Sequence, residues 1–111
     1  MGVFAVGEVV AVRFPFSNLK GAKLRPALVL AKAEFGDLIL CQITSRAYSS
    51  RRAVKLQASG FAKGGLGIAS FARPDKLFTA SQTLIDRSLG QLESDTLKTV
   101  ESGVIALFDQ S

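Results

Sequence analysis

Before residue 94 the chain sustains no helical period; it breaks instead into short β-rich runs, each closed by Gly, Pro or a polar cluster. Gly7 opens the run Glu8 to Phe14, which Pro15 ends. After the polar stretch Ser17 to Lys23, the apolar run Pro26 to Ala31 predicts a strand buried on both faces. Phe35-Gly36-Asp37 has turn composition, so the strand predicted over Leu38 to Thr44 should return as a hairpin. Ser45 to Arg52 reads as a mobile basic loop, and Ala53 to Leu56 as a short alternating strand. Gly60, Gly64, Gly65 and Gly67 argue against a regular element there and for a mobile loop, since no Lys-Ser/Thr ending makes them a phosphate loop. Ile68 to Phe71 and Lys76 to Thr79 read as strands broken at Pro74. Only at the end does the pattern change. Leu97, Val100, Val104, Leu107 and Phe108 recur at helical spacing, with Ser94 and Asp95 placed to cap and charge the helix start. Many short strands and one closing helix suggest a small, curled antiparallel sheet: a mainly β fold with a C-terminal helix.

At 111 residues the chain has room for one domain, residues 1–111, and no repeat or linker divides it. A domain of this size buries roughly two-thirds of its unfolded surface, enough to fold without staples. Cys41 is the only cysteine, so no intramolecular disulfide is possible, and its apolar neighbours favour a packing role over a nucleophile. Met1 to Val12 lacks a basic start and a long apolar stretch, and no segment approaches the ~20 apolar residues of a membrane helix. The cytoplasm, with no membrane partner, is the expected location. The formal charge of +5 favours an anionic partner without naming one.

Histidine is absent. That removes the usual general base near neutral pH, the commonest metal ligand, and both Ser-His and Cys-His pairs. The carboxylates do not cluster as a hard-metal cage requires, so no metal and no cofactor is expected. Any catalysis must be built from Arg, Lys, Asp, Glu and hydroxyls.

Three segments, in order, resemble the MazF/PemK family of toxins. They are Gly7-Glu8-Val9-Val10 with Lys23-Leu24-Arg25-Pro26-Ala27-Leu28-Val29-Leu30, then Cys41-Gln42-Ile43-Thr44-Ser45, then Arg73-Pro74-Asp75-Lys76-Leu77-Phe78-Thr79 with Leu89-Gly90-Gln91-Leu92 and the terminal helix. Order and spacing agree over nearly the whole chain. The resemblance implies a small SH3-like barrel of antiparallel strands with a C-terminal helix, the CcdB/PemK-like toxin fold. It further implies a homodimer, single-stranded RNA bound across the dimer face, and a cognate antitoxin covering the same groove. Carried onto this chain, the functional positions fall on Arg25, on Thr44 with Ser45, and on the Arg73/Asp75 pair. Some relatives have a histidine in the loop after the first strand; residues Phe16 to Lys23 have none.

The chemistry suits these residue types. Metal-free RNA cleavage uses the 2′-hydroxyl of the substrate itself, so alignment and charge stabilisation do much of the work. An Arg fork matches two phosphate oxygens. Arg25 precedes Pro26, which holds it toward extended geometry; its alternative is a solvated charge at a strand end. Arg73 and Asp75, two apart in an extended stretch, share a face. They form either a surface ion pair or a site in which Asp75 is base or orienter and Arg73 the phosphorane's cation or the proton donor. A nearby Arg lowers an Asp pKa and weakens it as a base, so a slow enzyme relying on stabilisation is expected. Thr44 and Ser45 either satisfy loose backbone groups or donate to a phosphate oxygen. Phe16 is the best stacking candidate, Phe14 and Phe71 read as core, and Ser17, Lys20, Lys23, Arg46, Arg51 and Arg52 are candidate RNA contacts. Two other functions compete: a toxin of the same fold that binds a protein such as gyrase, and a catalytically silent RNA-binding module.

Overall fold

The computed structural model describes residues 4–14, 23–46 and 50–109. Among these residues seven strands and one α-helix follow in the order β1 (Glu8–Phe14), β2 (Lys23–Lys32), β3 (Asp37–Thr44), β4 (Val54–Leu56), β5 (Phe61–Gly64), β6 (Ser70–Ser81), β7 (Ile85–Leu92) and α1 (Ser94–Phe108). They form one sheet in the order β4-β6-β3-β2-β1-β7-β5, and every pairing is antiparallel. Its two edge strands, β4 and β5, are consecutive in the chain and joined by a 3-10 turn at Ala58–Gly60. The sheet therefore curls until its edges are neighbours, a nearly closed barrel. This is the fold that the resemblance implied.

Alternation along the central strands sends two apolar sets to opposite faces. Val9, Leu28, Cys41 and Ile43 join Leu92 of β7 and Val100 of α1 in one cluster. Val10, Val12, Ala27, Val29, Leu38 and Leu40 form the other, with Phe14 and Phe78 against it. Ala27, Leu28 and Val29 are all inaccessible, as a strand buried on both faces must be. The β2–β3 hairpin is also as expected, closed by a 3-10 turn at Glu34–Gly36.

Three expectations need correction, and one strand has no reading from pattern. The segment over residues 61–64 is a strand, not a loop, because its glycines let two backbones close. A Cβ on Gly64 would stand 2.3 Å from the Leu89 carbonyl oxygen, and one on Gly90 2.6 Å from that of Lys63. β7 carries no alternation and goes unassigned by pattern, since two register shifts against β1 break its period. Glu93, not Ser94, is the N-cap of α1, with no side-chain cap bond, although Asp95 does sit in the first turn. Finally, β6 is one strand running through Pro74. What breaks there is its pairing: two steps on β3, from Cys41 to Ile43, face five on β6, from Leu77 back to Ala72. Pro74 cannot donate to a ladder, so the strand bulges around it. The Cys41 thiol donates to the Arg73 carbonyl at 3.0 Å, satisfying an acceptor in the bulge. Burial pushes that thiol up to about 12, so Cys41 is an inert packing residue.

Pro74 is also where α1 lands. A Cβ on Gly103 would come within 2.9 Å of the Pro74 ring, which explains a helix-weakening glycine in mid-helix. Gly103→Ala gains about 1 kcal/mol of helix propensity. Overpacking a rigid, buried ring costs typically about 1–3 kcal/mol. We expect Gly103→Ala to melt below the wild type and Gly103→Val lower still; a rise in melting temperature for Gly103→Ala would refute this close contact.

Candidate nucleic-acid cleavage site

Arg25 stands on β2 opposite Val12 of β1. On the other side of β2, pairing with β3 begins only at Ala27 and Gln42. Pro26, without an N–H, marks the point where the ladder stops. Continued past that point, the same register would set Arg25 against Thr44. Instead the strands part, and a cleft of about 440 Å³ opens between them. Lys23, Arg25, Thr44, Ser45 and Arg46 all line it. Five residues singled out from sequence thus meet at one place, three of them cations.

Of the two readings of Thr44, the bond to a loose backbone group is present. Its Oγ1 accepts the Arg46 backbone N–H at 3.1 Å, a turn bond that fixes the oxygen and leaves the hydroxyl proton to donate. On β6, Thr44 is opposite Phe71, and Phe71 is opposite Lys55 of β4. Phe71 is half-buried on this row rather than in either core cluster. Phe14 does pack against the second cluster, 5.3 Å from the Phe78 ring.

The Arg73/Asp75 pair rides on the β6 bulge. With Pro74 turned inward and buried, its neighbours on either side turn outward. Arg73 Nε donates to Asp75 Oδ1 at 3.3 Å and Nη2 to Oδ2 at 2.9 Å, a bidentate fork. The Arg73 side chain is 16% exposed and that of Asp75 29%. The Arg73 hydrogen bonds hold the Asp75 carboxyl below the usual Asp range, with a smaller contribution from the charge of Arg52. Arg52 and Arg51 are exposed at the turn before β4.

This pair does not lie in the Arg25 cleft. Asp75 lines a second, apolar trough of about 490 Å³ with Val12, Phe14, Leu77 and Phe78. The residue lining both cavities is Gln42. Sequence reasoning quoted Gln42 within a motif but assigned it nothing; its parity with Thr44 on one strand was the signal available. Phe16, Ser17 and Lys20 lie outside the described residues. Among the described residues no three Cys, Asp or Glu side chains gather as metal ligands. Nor, among them, is any helix long and apolar enough to cross a membrane.

Comparison with known proteins agrees with the fold. The family model described as PemK-like, MazF-like toxin of type II toxin-antitoxin system matches residues 5–108. No curated protein matches the chain. Among solved structures, MazE-MazF (form II) from Deinococcus radiodurans is 25% identical with a TM-score of 0.79, covering 100% of both chains. Form III from the same organism is 26% identical at 0.78, covering 99% of this chain and 100% of that one. An endoribonuclease in complex with its cognate antitoxin from a Mycobacterial species shares the fold at 15% identity. Its TM-score is 0.75, and the match covers 100% of this chain and 98% of that one.

Proposed function

Because this chain belongs to the PemK-like, MazF-like toxins of type II toxin–antitoxin systems, we propose that it is an endoribonuclease that cleaves single-stranded RNA without a metal. The observation that carries the reading is the convergence of Arg25, Thr44 and Ser45 where β2 and β3 part. In this reading a substrate 2′-oxygen attacks the adjacent phosphorus and loses its proton. The P–O5′ bond breaks, and the departing 5′-oxygen takes up a proton. The products are a 2′,3′-cyclic phosphate and a 5′-hydroxyl. Arg25 stabilises the charge on the phosphorane oxygens, and the Thr44 hydroxyl, with Ser45 beside it, donates to a non-bridging oxygen. Arg73 supplies a second cation. Asp75, pinned by that cation and held ionised, orients it and is a weak proton acceptor. Lys23 and Arg46 at the cleft, with Arg51 and Arg52, guide the strand.

The chain acts, in the same reading, as a homodimer with RNA across the paired faces, silenced by a cognate antitoxin over that groove. Incubating the purified protein with a long RNA in EDTA, then mapping the product ends, tests the proposal. Cleavage should persist, leaving 5′-hydroxyl and 2′,3′-cyclic phosphate ends, from a species near twice 11.8 kDa by light scattering. Loss of cleavage in EDTA, or 5′-phosphate ends, would overturn the mechanism. A protein that arrests growth yet leaves RNA intact belongs with the protein-binding toxins instead.

A further inference from the structure

We propose that the apolar trough beside the cleft seats the nucleobase next to the scissile phosphate, and that Gln42 reads the edge of that base. This rests on the endoribonuclease reading and names a specificity residue for it. The first observation is continuity. Gln42 lines both the cleft that holds Arg25 and Thr44 and the trough that holds Asp75. It lies two residues from Thr44 on β3, roughly 7 Å along the strand, within the reach of a base from its own phosphate.

The walls are the second observation. Val12, Phe14, Leu77, Phe78 and Leu84 line the trough. Phe14 and Phe78 meet at 57°, so ring surface is presented in two orientations. Unstacked RNA bases are held against such aromatic and apolar surfaces. Leu77 is a large apolar side chain left 37% exposed at this trough, as a wall awaiting an occupant is. Lys76 and Arg13, the latter ion-paired with Asp86 at 2.7 Å, also line it, so cations border the trough.

The third observation is the amide itself. Gln42 is half-buried, and its side chain makes no hydrogen bond to any described residue. Of the other described glutamines, Gln91 donates to the Val6 carbonyl, Gln82 accepts from the Phe4 N–H, and Gln57 is exposed to solvent. A side-chain amide carries a donor and an acceptor side by side, the pattern that pairs with a base edge. An apolar ligand or a protein aliphatic side chain would leave both unmet, whereas a base satisfies them.

The test is a random-sequence single-stranded RNA pool, cleaved by wild type, Gln42→Ala and Gln42→Glu, with cut sites sequenced. Gln42→Ala should lose preference at one nucleotide position beside the cut, by about 10- to 100-fold, the value of a bidentate base contact. Gln42→Glu is nearly isosteric and only accepts, so its preference at that position should move toward cytosine, whose N4 amino group donates. Leu77→Ser, which alters the trough wall and leaves the amide in place, should weaken the same position. Wild-type preference retained at every position by both Gln42 variants would overturn the proposal, as would a wild type that cuts without preference. If preference is unchanged but the Leu77→Ser mass falls to that of a monomer, the trough belongs to a second copy of the chain. A wild type that cuts no RNA would refute the endoribonuclease reading itself, a different failure.

Discussion

Arg25→Ala should cleave RNA roughly 100- to 1,000-fold more slowly than the wild type at saturating substrate, the typical cost of removing one preorganised donor to an oxyanion. Arg25 is exposed and sits at the end of β2 that pairs with β1 alone, so truncation removes no core contact. Stability should change by no more than about 0.5 kcal/mol, as at ordinary surface positions. The loss should appear in single-turnover rate more than in affinity, because Lys23 and Arg46 remain at the cleft to hold the strand. Arg25→Lys keeps the charge but not the fork, and should recover only part of the rate. Circular dichroism and thermal melting establish that the variant is folded. If folded Arg25→Ala cleaves within about threefold of the wild type, Arg25 is a solvated strand-end charge and the cleft is not the site.

Arg73→Ala should also lose roughly 100-fold in rate, for two reasons that can be separated. It removes a cation, and it leaves the Asp75 carboxylate, now without its fork, close to an anionic substrate. Asp75→Asn in the wild-type background should cost only about tenfold, because a carboxylate pinned by Arg73 serves as an orienter. The informative variant is the double. Arg73→Ala with Asp75→Asn should cleave faster than Arg73→Ala alone, since the bare charge is gone; neighbours that act as a unit are non-additive. An Asp75→Asn loss as large as that of Arg25→Ala would instead make Asp75 the general base.

The pH dependence gives an independent reading of the same pair. Arg73 depresses the folded pKa of Asp75 below the ordinary ~3.9 of an unfolded Asp. The ion pair therefore contributes stability above about pH 3.9 and loses it as pH falls through the depressed folded value. With both side chains partly exposed that contribution is at most about 1 kcal/mol. In rate, any acid limb from Asp75 should lie below pH ~3.9 in the wild type and rise toward that value in Arg73→Ala. A limb near pH ~6.5 could not come from histidine, which the chain lacks.

Much of this molecule was determined by local pattern. The strand buried on both faces, the β2–β3 hairpin, the inert Cys41 and the closing helix each follow from period, turn chemistry or neighbours within a few residues. The available chemical repertoire followed from what is missing, since any catalysis by a chain without histidine must be built from guanidinium, ammonium, carboxylate and hydroxyl groups. Other features depended on contacts between residues far apart in sequence. The glycines of β5 read as a loop because their purpose, close approach to Leu89 and Gly90, is invisible until β7 is beside them. β7 itself has no alternation, because its register slips twice against β1. Pro74 reads as a break; only α1, with Gly103 against its ring, turns it inward and pushes Arg73 and Asp75 out as a fork. Gln42 carried no signal beyond its parity with Thr44 on one strand. Its place between two cavities exists because Pro26 ends one ladder and the bulge at Pro74 interrupts another. Sequence period governs which face a side chain takes, but where paired strands part is decided by the whole sheet, and the cleft lies at such a parting.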